Sequence, residues 1–576
     1  MFKKMVSAAL AMAMLLATAC SSQPNQESQG EAGSPSGGSG VSAAGELPIT
    51  SEVVEITCFA PVSQTFTEEA CVEIQNWEKE TNIRLKVTDR PVADGDSNTA
   101  KNLLMASNEY PDIFLLTPTD GFTQSEVMQY GVKDGSFLPL NDYIDQYGYW
   151  INDVYEAHPE YKNIMVAPDG NIYGINDARE CDHCLAYPKL WMRTDWLEKL
   201  DLEMPTTTEE LYEVLKAFKE KDPNGNGKMD EIPLTADQDE TVDAILINSF
   251  LPYFPKVGQW ITGTNFCYTD EKNQIHFSGT DDRFREGLRY IAKLYKEGLI
   301  DPAAFTQTNV QAKTTVCAEP YSVGAFVAMH TGQVMDNTIA ELYSNFHAIE
   351  PVKGPDGVQY AAYNPSINGN TKAQAVITDK CENPEAAFRL IDYLMKPEVS
   401  FTRERGQEGV DWKYAEKGQK NIYGGELVYE FIEKETGSEA EQTFEDRRFY
   451  PGPTNSLVEE RAKFIADVDE ETRNTNPAYG EARLSAETIP LKPYFYEYIL
   501  PSSLYMEATD SERFTELSTT INDYMIQSVA RFSTGDLDVE NESDWETYLS
   551  ELDRYGLQEF LDLYQKAFDS YNQDVG

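Results

Sequence analysis

The N-terminal part of the chain alternates between strand-like and helix-like patterns of hydrophobic residues. Strand-like runs place an apolar residue at every second position, and helix-like runs place them at steps of three and four. The order strand, helix, strand, helix, strand predicts parallel strands joined by right-handed crossovers. The strand-like runs are residues 54–60, 83–87 and 111–116, and the helix-like runs are residues 66–77 and 99–107.

The carboxyl ends of these strands predict the position of a binding site. In open parallel sheets, ligands bind in the crevice beyond the carboxyl ends of the strands. In this chain those ends are followed by residues 60–64 and 117–120. We therefore expect both stretches to border a ligand.

Amphipathic helices dominate the remainder of the chain. Thr207 and Glu210 form a capping-box pattern ahead of an apolar stripe. Asn383 is the predicted cap of another helix, which a proline opens. We expect further helices over residues 284–294, 515–531 and 544–567. Together, the predicted strands and helices indicate an α/β protein, and the chain is long enough for two lobes.

Composition and charge narrow the classes of partner. The 576 residues carry 47 Lys and Arg against 97 Asp and Glu, a formal net charge of −50. Nucleic acids and anionic lipid headgroups both attract basic surfaces, so this charge argues against either partner. The hydrophobic fraction of 41% and the aromatic fraction of 11% are those of a folded globular protein.

The first 19 residues have the layout of a signal peptide. Two lysines precede an apolar run that is too short for a bilayer, which needs about 20 apolar residues. Small residues then precede Cys20, which resembles the cysteine of a bacterial lipobox, although Ala17 departs from the usual Leu. Residues 20–47 are rich in Ser, Gly and Pro and predict a flexible tether. We expect an exported protein anchored to the outer face of the cell membrane by lipidated Cys20, with an ordinary secretory peptide as the alternative.

The other seven cysteines do not form a disulfide framework, because their number is odd and they are scattered. Cys181-Asp-His-Cys184 suggests a zinc site, but no second pair of ligands follows it. The favoured interpretation is one local disulfide or two free thiols. Cys58 lies in a strand-like run and is predicted to be a small buried hydrophobic residue.

A calcium loop is the sharpest local motif. Residues 222–231 follow a predicted helix and place oxygen-bearing side chains at alternate positions ahead of a glycine. This spacing directs oxygens to one point, and Ca²⁺ takes about six to eight hard oxygen ligands. An EF-hand has Glu at the twelfth position, where this chain has Pro233, and a solvated turn is the alternative. The predicted ligands of a structural calcium ion are Asp222, Asn224, Asn226, Lys228 through its carbonyl group, Asp230 and Glu231.

An ordered set of phrases indicates a family. The phrases are SNEYPDI at 107–113, GSFLPLNDYID at 135–145, GNIY at 170–173, LWMRTDWLEKL at 190–200, AFKEKDPNGNG at 217–227, LYKEGLID at 294–301 and GQEGVDW at 406–412. Together they resemble the extracellular solute-binding proteins, family 1, of ABC importers. Within that family, the chain is similar to the large oligosaccharide-binding lipoproteins related to alginate-binding proteins, over about residues 50–500.

The resemblance implies a two-lobed fold of the periplasmic-binding-protein type, type II, whose lobes close on a sugar. It implies the substrate-binding component of an ABC importer, which presents an oligosaccharide to the permease and has no catalytic residues. It also implies that the calcium loop belongs to the subgroup, in which the Pro233 departure is shared. We expect a monomer that contacts the membrane only through its lipid anchor. The expected lobes are residues 48–170 with about 316–380, and residues 171–315 with about 381–576.

Aromatic residues in loop-like contexts are the candidates for sugar contacts, because sugar C–H faces pack on aromatic rings. An arginine fork can donate to hydroxyl groups or to a uronate, and a carboxylate can accept from hydroxyl groups. For each residue, a place in the core is the competing interpretation. Trp412 is the leading candidate and Trp260 the second. The full set is Trp412, Trp260, Trp191, Arg193, Asp411, Tyr363, Tyr450 and Trp150.

Two other functions are compatible with the sequence. A secreted glycoside hydrolase or lyase would need a pair of carboxylates, which cannot be located among 97 acidic residues. The chain contains no Gly-x-Ser-x-Gly, HExxH or P-loop pattern. A peptide-binding or sensory receptor on the same fold is the second alternative.

Overall fold

The computed structural model describes residues 40–62, 66–89, 96–255, 264–363, 371–432, 448–498, 500–501 and 503–575. The strands are β1 (Val54–Phe59), β2 (Ile83–Asp89), β3 (Ile113–Leu115), β4 (Ala178–Arg179), β5 (Lys189–Arg193), β6 (Cys267–Thr269), β7 (Ile275–Phe277), β8 (Ala325–Ala328), β9 (Phe346–Ala348), β10 (Ala375–Ile377), β11 (Trp412–Tyr414), β12 (Tyr429–Phe431) and β13 (Asn455–Ser456). The helices are α1 (Val72–Thr81), α2 (Asp96–Ser107), α3 (Gln124–Val127), α4 (Asn141–Tyr147), α5 (Trp150–Ala157), α6 (Pro159–Asn163), α7 (Thr194–Leu200), α8 (Thr208–Glu220), α9 (Asp243–Leu246), α10 (Asp282–Lys296), α11 (Asn309–Val316), α12 (Thr331–Val334), α13 (Ala340–Asn345), α14 (Pro384–Leu394), α15 (Pro397–Arg405), α16 (Val458–Ala462), α17 (Glu470–Thr475), α18 (Gly480–Thr488), α19 (Ala508–Thr534), α20 (Glu542–Arg554) and α21 (Leu557–Val575).

The first sheet has the strand order β2–β1–β3–β10. As predicted, β1 is parallel to both β2 and β3, and helices α1 and α2 form the two crossovers. β10 comes from much later in the chain and lies antiparallel on β3. A first hydrophobic core surrounds this sheet and draws mainly on residues 49–178 and 373–399.

The second sheet has the order β8–β5–β9, with antiparallel pairing throughout. A second hydrophobic core contains apolar residues from 190–352 and from the C-terminal helices between 500 and 568. A third, smaller core lies around Trp191, Phe326 and Phe346 on the same sheet. The chain therefore builds two α/β cores, each on a sheet of its own, and passes between them several times.

Two stretches pack in a different core from the predicted one. Residues 323–346 were expected with the first sheet, but they supply β8 and β9 to the second sheet. Residues 386–399 were expected in the C-terminal lobe, but they pack in the first core. The first stretch stays with the second sheet because β8 and β9 pair with the two edges of β5. The second stretch lies in the first core because β10 returns the chain to the first sheet, and α14 and α15 follow it.

The helix signals are largely confirmed. The Thr207 side chain accepts a hydrogen bond from the Glu210 N–H at 3.2 Å and caps α8. Asn383 precedes α14, as expected, but its side chain makes no capping hydrogen bond. The single helix expected over 544–567 is two helices, because Gly556, at a φ of 87°, breaks the chain between α20 and α21. Within the described part of the chain, we find no helix with both the length and the apolar character that crossing a membrane requires.

The cysteine interpretation is confirmed at two points. Cys181 and Cys184 form a disulfide, which was one of the two favoured alternatives. Cys58 is a fully buried residue of β1. The disulfide lies in the short stretch between β4 and β5, where the chain leaves the first core for the second.

Candidate ligand-binding and calcium sites

A cluster of half-exposed aromatic rings lies beside the second core. We call it the tyrosine wall and define it as Tyr360, Tyr363, Phe495, Tyr496 and Tyr498, all of which are partly exposed. The Tyr363 and Phe495 rings stack, with centroids 4.5 Å apart and planes 23° apart. The Tyr360 ring meets Tyr496 edge-on at 5.2 Å.

Two segments that are distant in sequence build this wall. They run side by side, since the Ala361 N–H donates to the Tyr494 carbonyl at 3.0 Å. Buried Phe254 and Tyr268 support the ring of Tyr496 from behind, at 6.1 and 5.9 Å. The Tyr496 hydroxyl donates to the Thr269 carbonyl at 2.8 Å, which fixes the ring. Rigid aromatic faces that are half exposed are suited to packing against an apolar ligand face.

Residues that follow both segments of the wall contact the first core. After Tyr363, the next stretch that contacts the first core includes Lys372, whose ammonium group donates to the Thr119 carbonyl at 2.8 Å. After Tyr498, the Ser503 hydroxyl donates to Gln124 at 2.8 Å. Each segment of the wall is therefore followed, a few residues later in the described chain, by a contact with the first core.

A polar cluster occupies the carboxyl end of β3, as the sheet topology predicts. Asp120 accepts hydrogen bonds from the hydroxyl groups of Ser97 and Thr117. The ammonium group of buried Lys101 donates to the Asp120 carbonyl at 3.0 Å and lies 3.1 Å from a Glu126 carboxylate oxygen. Of the two stretches expected to border a ligand, residues 117–120 thus carry convergent polar groups, while residues 63 and 64 of the other stretch lie outside the described residues.

The leading aromatic candidate is enclosed by protein. Trp412 begins β11 and is 3% exposed, and its indole N–H donates to the Gly406 carbonyl at 2.7 Å. Its ring packs edge-on against Phe401 at 5.1 Å. The neighbouring Asp411 is 2% exposed and accepts from the Gln407 N–H at 2.6 Å. Both residues therefore use their polar groups within the fold.

Trp191 and Arg193 of β5 are likewise committed to the fold. Trp191 is fully buried and donates its indole N–H to the Ala328 carbonyl at 3.0 Å. Arg193 is 1% exposed, and its fork binds both carboxylate oxygens of Asp195 at 2.6 and 2.7 Å. A bidentate arginine–carboxylate pair is a strong contact, so the fork predicted for a sugar is already occupied.

The other candidates are scattered. Trp150 begins α5 and meets the Tyr393 ring edge-on at 6.1 Å in the first core. The Tyr450 ring lies against the guanidinium groups of Arg179 and Arg448, at 5.7 and 5.1 Å. Trp260 lies outside the described residues.

Of the described candidates, Tyr363 alone belongs to the tyrosine wall. Tyr360, Phe495, Tyr496 and Tyr498 were not among the candidates, although the run of aromatic residues at 494–498 was a visible signal. Sequence spacing gives no indication that this run lies beside Tyr363, because about 130 residues separate the two segments.

The calcium loop follows α8 and folds as its spacing predicts. The Asp222 carboxylate accepts from the N–H groups of Asn226 and Gly227, at 3.0 and 2.9 Å. The Asn224 side-chain oxygen also accepts from the Asn226 N–H, at 2.9 Å, and the Asn226 amide donates to Asp230 at 2.8 Å. Gly227 has a φ of 79°, which a residue with a side chain rarely adopts. The loop therefore gathers four of the six predicted side-chain and carbonyl ligands around one turn.

Glu231 completes the predicted set in an unusual environment. It is 8% exposed, and neither of its carboxylate oxygens has a hydrogen-bond partner. Burial raises its pKa, and the charges of Asp222 and Asp230 raise it further. A buried carboxylate without partners is costly unless a cation accompanies it. The hard oxygen donors of the loop and these two unpartnered oxygens therefore fit a calcium ion.

Two α/β cores on separate sheets, with stretches of chain that pass between them, define the two-lobed fold of solute-binding proteins. Residues 60–400, more than half of the chain, match the family described as bacterial extracellular solute-binding protein. The chain belongs to this family. It is accordingly a binding protein and not an enzyme.

Relatives with curated names support this assignment. The fructooligosaccharide ABC transporter substrate-binding protein FusA of Streptococcus pneumoniae is 27% identical over 534 residues, which cover 90% of each chain. Lipoprotein LipO of Bacillus subtilis is 31% identical over 291 residues, 49% of this chain and 52% of LipO.

Solved structures share the fold. FusA in complex with kestose has a TM-score of 0.67 and 23% identity, and the match covers 90% of this chain and 100% of FusA. An EF-hand mutant of FusA in complex with fructo-nystose has a TM-score of 0.66, with the same identity and coverage. An HMO-binding solute-binding protein from Bifidobacterium longum infantis has a TM-score of 0.68 and 20% identity, over 90% of this chain and 99% of that protein.

Proposed function

We propose that this protein captures an oligosaccharide between its two lobes and presents it to the permease of an ABC importer. The partly exposed tyrosine wall, whose two segments are each followed by a contact with the first core, is the observation that carries this proposal. FusA is named for fructooligosaccharides, and a carbohydrate ligand agrees with an aromatic wall. The net charge of −50 favours a neutral sugar over a polyanionic one.

Binding at this site would be conformational. A sugar that stacks on Tyr363 and Phe495 and also contacts the β3 polar cluster interacts with both lobes at once. Such a ligand stabilises a closed arrangement by its difference in affinity for the closed and open states. In this proposal the wall would supply ring faces and the edge of the β3 polar cluster would supply polar contacts, and binding would leave the bonds of the ligand intact.

The test is a thermal-shift screen with neutral oligosaccharides, uronate oligosaccharides and short peptides. We expect at least one neutral oligosaccharide to raise the melting temperature of the wild type, and Tyr363→Ala to abolish that shift. A shift with peptides alone would replace the proposed ligand with a peptide. A sugar-induced shift that Tyr363→Ala leaves unchanged would remove the wall from the site.

We propose that the loop at 222–231 binds a structural calcium ion. Asp222, Asn224, Asn226, Asp230, Glu231 and the carbonyl group of Lys228 would hold it. The unpartnered carboxylate of Glu231 is the observation behind this assignment. The EF-hand mutant of FusA indicates that a fold relative has a comparable loop. The ion would offset most of the negative charge of three neighbouring carboxylates and tie the end of α8 to the chain that follows it.

Calorimetry and thermal denaturation of the EDTA-stripped protein test the calcium site. A ligand that binds only the folded state stabilises it by about 2.7 kcal/mol at 100 times its Kd. We expect CaCl₂ to raise the melting temperature of the wild type and Glu231→Gln to weaken calcium binding at least tenfold. Glu213→Gln, on the exposed face of α8, is the matched control and should respond like the wild type. A wild type without calcium heat or thermal shift would contradict the assignment.

We further propose that the mature protein begins at a lipidated Cys20, works as a monomer and delivers its ligand to transmembrane permease subunits. Cys20 lies outside the described residues. Support comes from the lipobox-like sequence and from the naming of LipO as a lipoprotein. Intact-mass measurement of protein purified from native membranes should show a diacylated cysteine, and an unmodified Cys20 would contradict the anchor.

A further inference from the structure

A histidine and three glutamates converge at a place separate from the tyrosine wall and the calcium loop. His158 lies between α5 and α6, Glu160 lies in the first turn of α6, Glu180 follows β4, and Glu459 lies in α16. We call these four residues the His158 cluster. Nδ1 of His158 is 3.4 Å from Glu160 Oε1 and 3.8 Å from Glu180 Oε1, and Nε2 is 3.4 Å from Glu459 Oε1.

Both ring nitrogens of His158 face carboxylate oxygens. A neutral imidazole has one N–H group, so one of these contacts would place a nitrogen lone pair against a negative oxygen. A cation, either a second proton on the ring or a metal ion between the side chains, would satisfy the contacts at both nitrogens.

We propose that the His158 cluster binds a divalent transition-metal ion of the zinc type. His158 Nδ1, Glu160 and Glu180 would be the three protein ligands. Ligand atoms at about 2.1 Å from a tetrahedral zinc lie roughly 3.4 Å from one another. The contacts of 3.4 and 3.8 Å at Nδ1 are close to that spacing, and oxygens of the two glutamates lie within 4.8 Å of each other.

Glu459 would orient the histidine. Metal-binding histidines commonly donate the N–H of their second nitrogen to a carboxylate, which fixes the tautomer. The 3.4 Å contact from Nε2 to Glu459 provides such an acceptor. The histidine nitrogen also gives this site a different metal preference from the calcium loop, because Ca²⁺ prefers oxygen ligands.

The ion would connect three parts of the fold. Glu180 is 11% exposed at its side chain, and its second carboxylate oxygen accepts from the Val458 N–H at 3.0 Å. Its own N–H donates to the Ser456 carbonyl at 3.0 Å. A metal ion held by Glu180 would therefore tie the junction of α5 and α6 to the stretch where the chain leaves the first core.

Calorimetric titration with ZnCl₂ tests this site in full-length, tag-free protein. The protein is saturated with CaCl₂, so that the calcium loop is filled, and kept oxidised, so that Cys181 and Cys184 offer no thiolates. We expect one zinc per chain, a rise in melting temperature, and at least tenfold weaker binding by His158→Ala.

Two further variants make the result decisive. Glu160→Gln changes a side chain that is 58% exposed, so the variant should fold, and it should also weaken zinc binding at least tenfold. His276→Ala removes another histidine that pairs with a carboxylate, Asp270 at 3.0 Å, and should bind zinc like the wild type. Absence of zinc binding by the wild type, or equal affinity in wild type and Glu160→Gln, would overturn the proposal.

Discussion

Two aromatic clusters of this protein have similar composition and different exposure. Beside the β11–β12 hairpin, Phe401 and Tyr429 stack at 3.9 Å and Trp412 meets them edge-on, and each of the three is at most 8% exposed. In the tyrosine wall, Tyr363 and Phe495 stack at 4.5 Å and remain partly open to solvent. Both clusters contain phenylalanine and tyrosine rings, but the rings of the wall leave more of their area exposed.

The difference follows from what lies behind and in front of the rings. The hairpin cluster packs between α15, β11 and β12, and little of the area of its three central rings is exposed. The wall rests on the second core through Phe254 and Tyr268, and its rings remain partly exposed. We infer that the hairpin cluster mainly stabilises the fold, and we propose the wall as the surface for a ligand.

The largest expected effect is on stability, at Trp412. Removing a buried tryptophan leaves a cavity and typically costs about 3–5 kcal/mol. We expect Trp412→Ala to lower the free energy of unfolding by that amount in urea denaturation. If the variant instead kept wild-type stability and lost sugar binding, Trp412 would be a binding residue.

The next effect is on affinity, at Phe495. Phe495→Ala removes the ring that stacks on Tyr363, and we expect sugar affinity to fall at least tenfold, about 1.4 kcal/mol. Because the ring is half exposed, the free energy of unfolding should fall by only about 1 kcal/mol. Calorimetry and urea denaturation of the same preparation measure both. A loss of stability as large as that of Trp412→Ala would mean that Phe495 is a packing residue of the core and not part of a ligand surface.

The smallest effect is expected at Tyr414, which is 57% exposed at the rim of the hairpin cluster. Exposed substitutions usually change stability by less than about 0.5 kcal/mol. Tyr414→Ala should therefore leave both stability and sugar affinity close to the wild type, which makes it a control for an exposed tyrosine outside the wall. A large loss of affinity would show that the ligand extends over the hairpin.

Features encoded in contiguous sequence were predictable. The order of β1, β2 and β3 follows from alternating hydrophobic periods, and the turn at 222–231 follows from its residue spacing. Features that depend on distant segments were not. Nothing near Trp412 indicates that α15 covers it, and nothing near Tyr363 indicates that residues 494–498 lie beside it. The antiparallel pairing of β10 with β3 likewise joins distant segments, and it places α14 and the start of α15 against the first core.

We propose above that the wall holds a sugar that the protein does not alter. The most direct measurement is a calorimetric titration of the wild-type protein with the oligosaccharide identified by the screen, followed by chromatography of the recovered ligand after prolonged incubation. The account predicts saturable binding with one site per chain and an intact oligosaccharide. Shortened or unsaturated sugar products from pure protein, or no saturable binding of any carbohydrate, would contradict it.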